Sequence, residues 1–193
     1  HEQLRNTIVL VTHDLDEAAQ LASHLCLVRH GRLLQSGPTA EVLTRPRCEQ
    51  SARLLDIPNV FTGQLEGGVD GRSLMRWGPH LLRVAGVPDG RTQGPLQWAV
   101  LPSNVLLARP DKPWSSHLEN PVPALVREVI ELGGEAVVLV TPEGVSGTTV
   151  QLRLPTRAVR RYRIEPGHAI TICLRSTDIV PLGLSIEIGR AHV

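Results

Sequence analysis

His13 closes the apolar run at residues 7–12, TIVLVT, and is followed at once by Asp14, Asp16 and Glu17. An imidazole between a strand and a helix stands at the edge of an α/β sheet where ligands collect, and helix N-termini favour anionic groups. There it can donate a hydrogen bond to a phosphate oxygen or help position a water that attacks it. The same placement also suits an ordinary histidine satisfied by a neighbouring carbonyl. The three acids do not read as a metal cluster. Asp14 and Glu17, three apart at a helix start, cap the first turn and complement its dipole. The other seven histidines are scattered without metal-ligand spacing, so no metal site is read.

The elements that position His13 follow from patterning. Residues 7–12 are continuous, apolar and β-branched, as in a strand buried on both faces. Leu15, Ala18, Ala19, Ala22 and Leu25 then recur at helical spacing and form one apolar face. Residues 24–37, HLCLVRHGRLLQSG, predict two short strands turning at His30-Gly31. PTAEVLTRP and CEQSARLLD predict short helices, the first opened by Pro38 and closed before Pro46. Residues 1–58 are thus expected to be the end of an α/β unit.

From IPNVFTGQLEGG onward the chain turns into short β-type runs broken by Gly and Pro. Strands are expected near 60–66, 73–77, 80–85, 96–101, 104–108, 122–132, 135–141, 148–154, 168–174 and 177–181, a spacing that suits a small barrel or sandwich. TRAVRRY is the one helix expected among them, with Thr156 as its cap. ARPDKPWSSHLENPVP, with four prolines, is expected to be a linker or long loop. No internal repeat of constant period is visible.

Composition narrows the function classes. Lys and Arg (20) nearly balance Asp and Glu (19), giving a formal charge of +1, and aromatic residues make up 3%. Neither a basic footprint nor a base-stacking platform is present, so nucleic acid is not an expected partner. Cys26, Cys48 and Cys173 are odd in number and lack C-x-x-C spacing, as expected of buried thiols rather than disulfides. No apolar run approaches the ~20 residues of a membrane helix. Met75 is the only methionine, so residue 1 is not an expected translation start. The tail at 187–193, EIGRAHV, back-translates into something resembling sequencing-adapter read-through and is expected to be non-native. The chain is expected to be a fragment.

The run IVLVTHDLDEAAQLASHLCLVRHGRLLQSGPTAEVLTRP closely resembles the end of the nucleotide-binding domain of ABC transporter ATP-binding subunits. His13 matches that family's switch histidine, which contacts the γ-phosphate of ATP, and DEA, the GRLLQSG hairpin and the PTAEVLTRP helix follow in the family's order. LPSNVLLA, ENPVPALVREVIELGGEAVVLV and IEPGHAITICLRSTDIVPL resemble the transport-associated OB-type (TOBE) domain of importer-type subunits. The resemblance implies a fold class: an α/β remnant of a P-loop ABC nucleotide-binding domain (1–58), then an all-β OB-like TOBE barrel (59–186, clearest at 119–184). It implies ATP and Mg2+ as cofactors of the intact protein. It also implies a second ATP-binding subunit, transmembrane permease subunits and, indirectly, a substrate-binding protein as partners, at the cytoplasmic face of the membrane.

Other parts of the family pattern are not found. The single lysine, Lys112, excludes a G-x-x-x-x-G-K-[ST] loop, and no LSGGQ-like signature or strand ending in Asp-Glu occurs. The 193 residues alone are therefore expected to be inactive toward ATP. The resemblance is strongest to oxyanion importers, molybdate or tungstate first. By position, Asn120, Arg175, Ser176 and Thr177 match residues that hold an oxyanion in related domains. Arg175 stands where lysine is common and Ala124 where glycine is usual. Those side chains also suit a strand end and a solvated charge. The competing class is a non-enzymatic OB-like module that binds a small anion or nucleic acid.

Overall fold

The computed structural model describes residues 7–69, 72–87, 91–109, 111 and 118–183; the tail expected to be non-native and the middle of the Pro-rich segment, Lys112 included, lie outside them. Residues 7–12 are not the buried strand that their composition predicts. They run as irregular backbone with Ile8, Val9, Leu10 and Val11 exposed. A strand exists only through its ladder, and no described residue pairs with this run.

Asp14 caps α1 (Leu15–Leu21) as expected, its carboxylate accepting from the amides of Asp16 and Glu17. The expected apolar face is only partly covered: Ala18 is buried, Leu15, Ala22 and Leu25 half-buried, and Ala19 exposed. Strands β1 (His24–Arg29) and β2 (Arg32–Pro38) form the predicted hairpin. His30 and Gly31 both have positive φ (49° and 72°), the geometry of a tight two-residue turn. Helices α2 (Thr39–Thr44) and α3 (Glu49–Leu54) follow. Leu27, Val42, Ala52, Leu55 and Ile57 from this part share one core with Ala99, Val180 and Leu182 from the β region.

Among the described residues the β region holds ten strands: β3 (Val60–Val69), β4 (Arg72–Trp77), β5 (His80–Val84), β6 (Gln93–Ala99), β7 (Val105–Leu107), β8 (Pro121–Leu132), β9 (Glu135–Pro142), β10 (Val150–Pro155), β11 (Ala169–Leu174) and β12 (Val180–Leu182). Pro121, expected in a loop, opens β8, and Pro123 lies within the strand expected at 122–132. Over these residues β8 pairs with β11 alone, and an edge-like strand start tolerates proline. Helix α4 (Thr156–Arg161) lies where expected, but Thr156 does not cap it. Pro155 holds that position, and the Thr156 hydroxyl donates instead to the Gly133 carbonyl. No helix among the described residues is long and apolar enough to cross a membrane.

The strands form two five-stranded antiparallel sheets, ordered β12-β6-β3-β4-β5 and β10-β9-β8-β11-β7. The second is a nearly closed barrel, and a bulge between Val126 and Glu128 helps β8 to bend. Four strands of each sheet follow one plan: β5-β4-β3-β6 matches β10-β9-β8-β11 in chain order and neighbours. The fifth strand is exchanged. β7, from the first half, pairs with β11, while β12, from the end of the second, pairs with β6. The topology is therefore duplicated, although the sequence has no constant-period repeat. The reason is that loops and bulges differ between the halves, while only the hydrogen-bonding order is common.

A contiguous apolar core runs through both sheets, from Leu65, Met75 and Trp98 to Val122, Val138 and Ile172. Phe61, Trp77 and Trp98 stack within it at centroid separations of 5.1, 4.9 and 5.2 Å.

Candidate functional site

His13 lies exposed on irregular backbone just before α1. Its placement rests on three local hydrogen bonds: the Asp14 amide donates to Thr12 Oγ1 at 3.0 Å, and the Asp14 carboxylate accepts from the amides of Asp16 and Glu17. No carbonyl among the described residues accepts from the His13 ring. The imidazole is thus open to solvent, where it can meet a phosphate, with acids rather than donors as its helical neighbours. That arrangement fits one contact to a phosphate oxygen. It does not supply a Mg2+ set, and among the described residues no three His, Cys, Asp or Glu side chains are grouped to hold a metal.

Asn120, Arg175, Ser176 and Thr177 come together at one corner of the β region, where the start of β8 meets the end of β11. No hydrogen bond or ion pair joins His13 to them among the described residues. Asn120 is buried and adopts positive φ (48°), a conformation asparagine accepts more readily than most residues. Its Oδ1 accepts from the Arg83 amide at 2.8 Å, and its Nδ2 donates to the carbonyls of Arg83 (2.8 Å) and Leu174 (2.7 Å). The side chain thereby pairs with the edge strand β5 of the opposite half.

Asn59 makes the mirror arrangement. Its Nδ2 donates to the Gln151 carbonyl and its Oδ1 accepts from the Gln151 amide, both at 2.8 Å, on edge strand β10. The backbone matches as well: Val100 donates to the Asn59 carbonyl as Leu174 does to that of Asn120. Two asparagines thus clamp the two halves reciprocally.

Arg175 is exposed and pairs with Asp178 across the turn after β11. Thr177 is exposed, and its carbonyl accepts from Arg45 Nη2 at 3.4 Å. Ser176 is fully buried; its amide donates to Glu119 Oε2 at 2.7 Å, while its hydroxyl makes no hydrogen bond of good geometry. Arg72 Nη1 donates to the other oxygen of Glu119 at 2.9 Å.

Glu119 and Arg72 are the residues that sequence reasoning missed. Glu119 adjoins Asn120 in the chain, but nothing in spacing links it to Arg72 on β4. The Ser176 hydroxyl and amide, ahead of Arg72, hold the Glu119 carboxyl below the usual glutamate range, against the opposing effect of partial burial. A carboxyl depressed on folding stabilises the fold above its unfolded pKa, and that contribution is lost as pH falls through the depressed value. Glu119→Gln is therefore expected to flatten the acid limb of the stability–pH profile below the ordinary glutamate range. Urea midpoints measured from pH 6 downward check this; an acid limb as steep as wild type contradicts it.

No family model matches the chain. Curated proteins do. The sulfate/thiosulfate import ATP-binding protein CysA of Burkholderia mallei is 28% identical over 181 residues, 94% of this chain and 48% of that protein. The Fe(3+) ions import ATP-binding protein FbpC of Streptomyces avermitilis is 32% identical over 181 residues, 94% and 46%. The molybdate/tungstate import ATP-binding protein WtpC of Thermococcus kodakarensis is 31% identical over 134 residues, 69% and 37%. The chain spans about half the length of such relatives or less. Among solved structures, the cytoplasmic molybdate-binding protein ModG, with molybdate bound, superposes with a TM-score of 0.58 at 16% identity. The match covers 67% of this chain and 98% of ModG, and it bears on the fold alone.

Proposed function

We propose that this chain, similar over nearly its whole length to ATP-binding subunits of ABC importers, is the part of such a subunit that carries the switch histidine and the TOBE-type β region. One observation carries the reading: the similarity extends over 94% of the chain, a span that takes in parts of both the His13 segment and the β region. In a subunit of the relatives' full length, His13 contacts the γ-phosphate of ATP held between two ATP-binding subunits. The phosphate loop and the Mg2+ ligands come from sequence that these residues do not include. Bound Mg2+ supplies charge neutralisation at the transferring phosphoryl group. Closure of the pair drives permease partners, and a substrate-binding protein feeds them, with the subunit peripheral to the cytoplasmic face of the membrane.

The cargo is an oxyanion, with molybdate or tungstate before sulfate. The oxyanion imports served by two relatives, the resemblance of the Asn120 and Arg175–Thr177 segments to oxyanion-holding ones, and the ModG-like fold support this. The 193-residue chain is expected to give no ATP turnover above a His13→Ala control. In the full-length subunit, His13→Ala is expected to lower turnover about 100-fold or more. Wild-type turnover from the 193-residue chain, or from full-length His13→Ala, overturns the assignment. Cellular uptake of molybdate, tungstate, sulfate and ferric ion, each with and without the full-length subunit, decides the cargo. Loss of ferric uptake alone sinks the oxyanion reading.

A further inference from the structure

We propose that Glu119 is a built-in anion: its carboxylate occupies an oxyanion seat made by Ser176 and Arg72, and an external oxyanion must compete with it. This rests on the reading that the Ser176 segment faces an oxyanion, and it adds the device that gates that segment.

Two hydrogen-bond donors and one unpartnered buried hydroxyl converge on one carboxylate. The Ser176 amide reaches Oε2 at 2.7 Å, Arg72 Nη1 reaches Oε1 at 2.9 Å, and the Ser176 hydroxyl lies against the same group without a hydrogen bond of good geometry. A backbone amide, a hydroxyl and a guanidinium are the donors that hold a small oxyanion. Here the amide and the guanidinium hold two oxygens of the protein's own, with the hydroxyl left unpartnered beside them. Ser176 is completely buried, whereas the side chains of Arg72 and Glu119 are 42% and 24% exposed. The seat is therefore closed on the Ser176 side and reachable on the Arg72 side, where a solute can arrive as the carboxylate swings out.

The duplicated fold supplies an internal comparison. With Asn59 matching Asn120 and Val100 matching Leu174, Glu119 corresponds to Pro58 and Ser176 to Pro102. Proline has neither an acid nor an N–H. Acid and donor are present together in one half and absent together in the other, as expected if each serves the other. Arg175 does not complete the seat, because Asp178 already neutralises it.

The test is calorimetric titration of the 193-residue chain with molybdate, tungstate, sulfate and acetate at fixed ionic strength, together with the anion dependence of Tm. Wild type is compared with Glu119→Ala and Glu119→Gln. Removing the carboxylate frees charge-assisted donors, so Glu119→Ala is expected to bind at least one of these anions about tenfold more tightly or better. Its Tm is expected to rise with that anion, and Glu119→Gln to fall between it and wild type. Wild type binding as tightly as Glu119→Ala overturns the proposal while leaving the oxyanion reading intact. Anion-independent behaviour of both variants also overturns it. If Glu119→Ala does not fold, Glu119→Gln decides, and no gain over wild type counts against the proposal. Acetate binding by Glu119→Ala without any oxyanion binding upholds the built-in anion and removes this corner as an oxyanion site.

Discussion

Asn120→Leu is expected to lower the unfolding free energy of the chain by about 3 kcal/mol, because each orphaned buried backbone group costs about 1–3 kcal/mol. The substitution strips the Arg83 amide, the Arg83 carbonyl and the Leu174 carbonyl of their partner. It also forces leucine into a positive-φ conformation that asparagine tolerates. Asn59→Leu is expected to cost a similar amount through Gln151, with no positive φ to add to it. Urea unfolding of the full chain measures both. Losses below about 1 kcal/mol would mean that the clamps are replaced by water at little cost. The prediction bears on ligand assays as well: the amide of Asn120 is already fully engaged, so its loss registers as stability even where no anion is added.

The second large effect is expected at β12. Replacing residues 180–182 with Gly-Ser-Gly deletes Val180 and Leu182, which are 9% and 2% exposed, and loosens the edge that pairs with Gln97–Ala99. Two buried aliphatic side chains are worth roughly 1.5–3 kcal/mol each, before any cavity is counted. A loss of about 4 kcal/mol is a large fraction of the 5–15 kcal/mol that holds a typical domain. Trp98 lies opposite Pro181 and reports the change through its fluorescence. An unfolding midpoint equal to wild type would show that β12 is an ornament of the sheet rather than a member.

Local order was largely legible in the sequence. The His30-Gly31 turn, the Asp14 cap and the ten β runs each follow from a handful of adjacent residues, and the structure places them within a few positions of expectation. Residues 7–12 mark the limit of that reasoning. β-branched composition describes what a strand is made of, but a ladder needs a neighbour. The exchanged strands were not legible for the same reason. Val105–Leu107 and Val180–Leu182 look alike in sequence, and nothing in either names the sheet it will join. At the candidate site, Asn120 and Ser176 stood out through their motifs. Arg72 and Glu119 did not, because their meeting depends on β4 lying near the end of β11, which is a property of the fold.

The exchange of β12 also sets a timetable for synthesis. Val180 pairs with Ala99, so a ribosome must add about 80 further residues before β6 receives its outer neighbour, a delay that high-contact-order folds share. Until then the nascent first sheet lacks its outer strand, and the core around Ala99 lacks Val180 and Leu182. Anything that stalls translation in the second half prolongs that unpaired edge, the condition under which a partly made sheet is prone to aggregate.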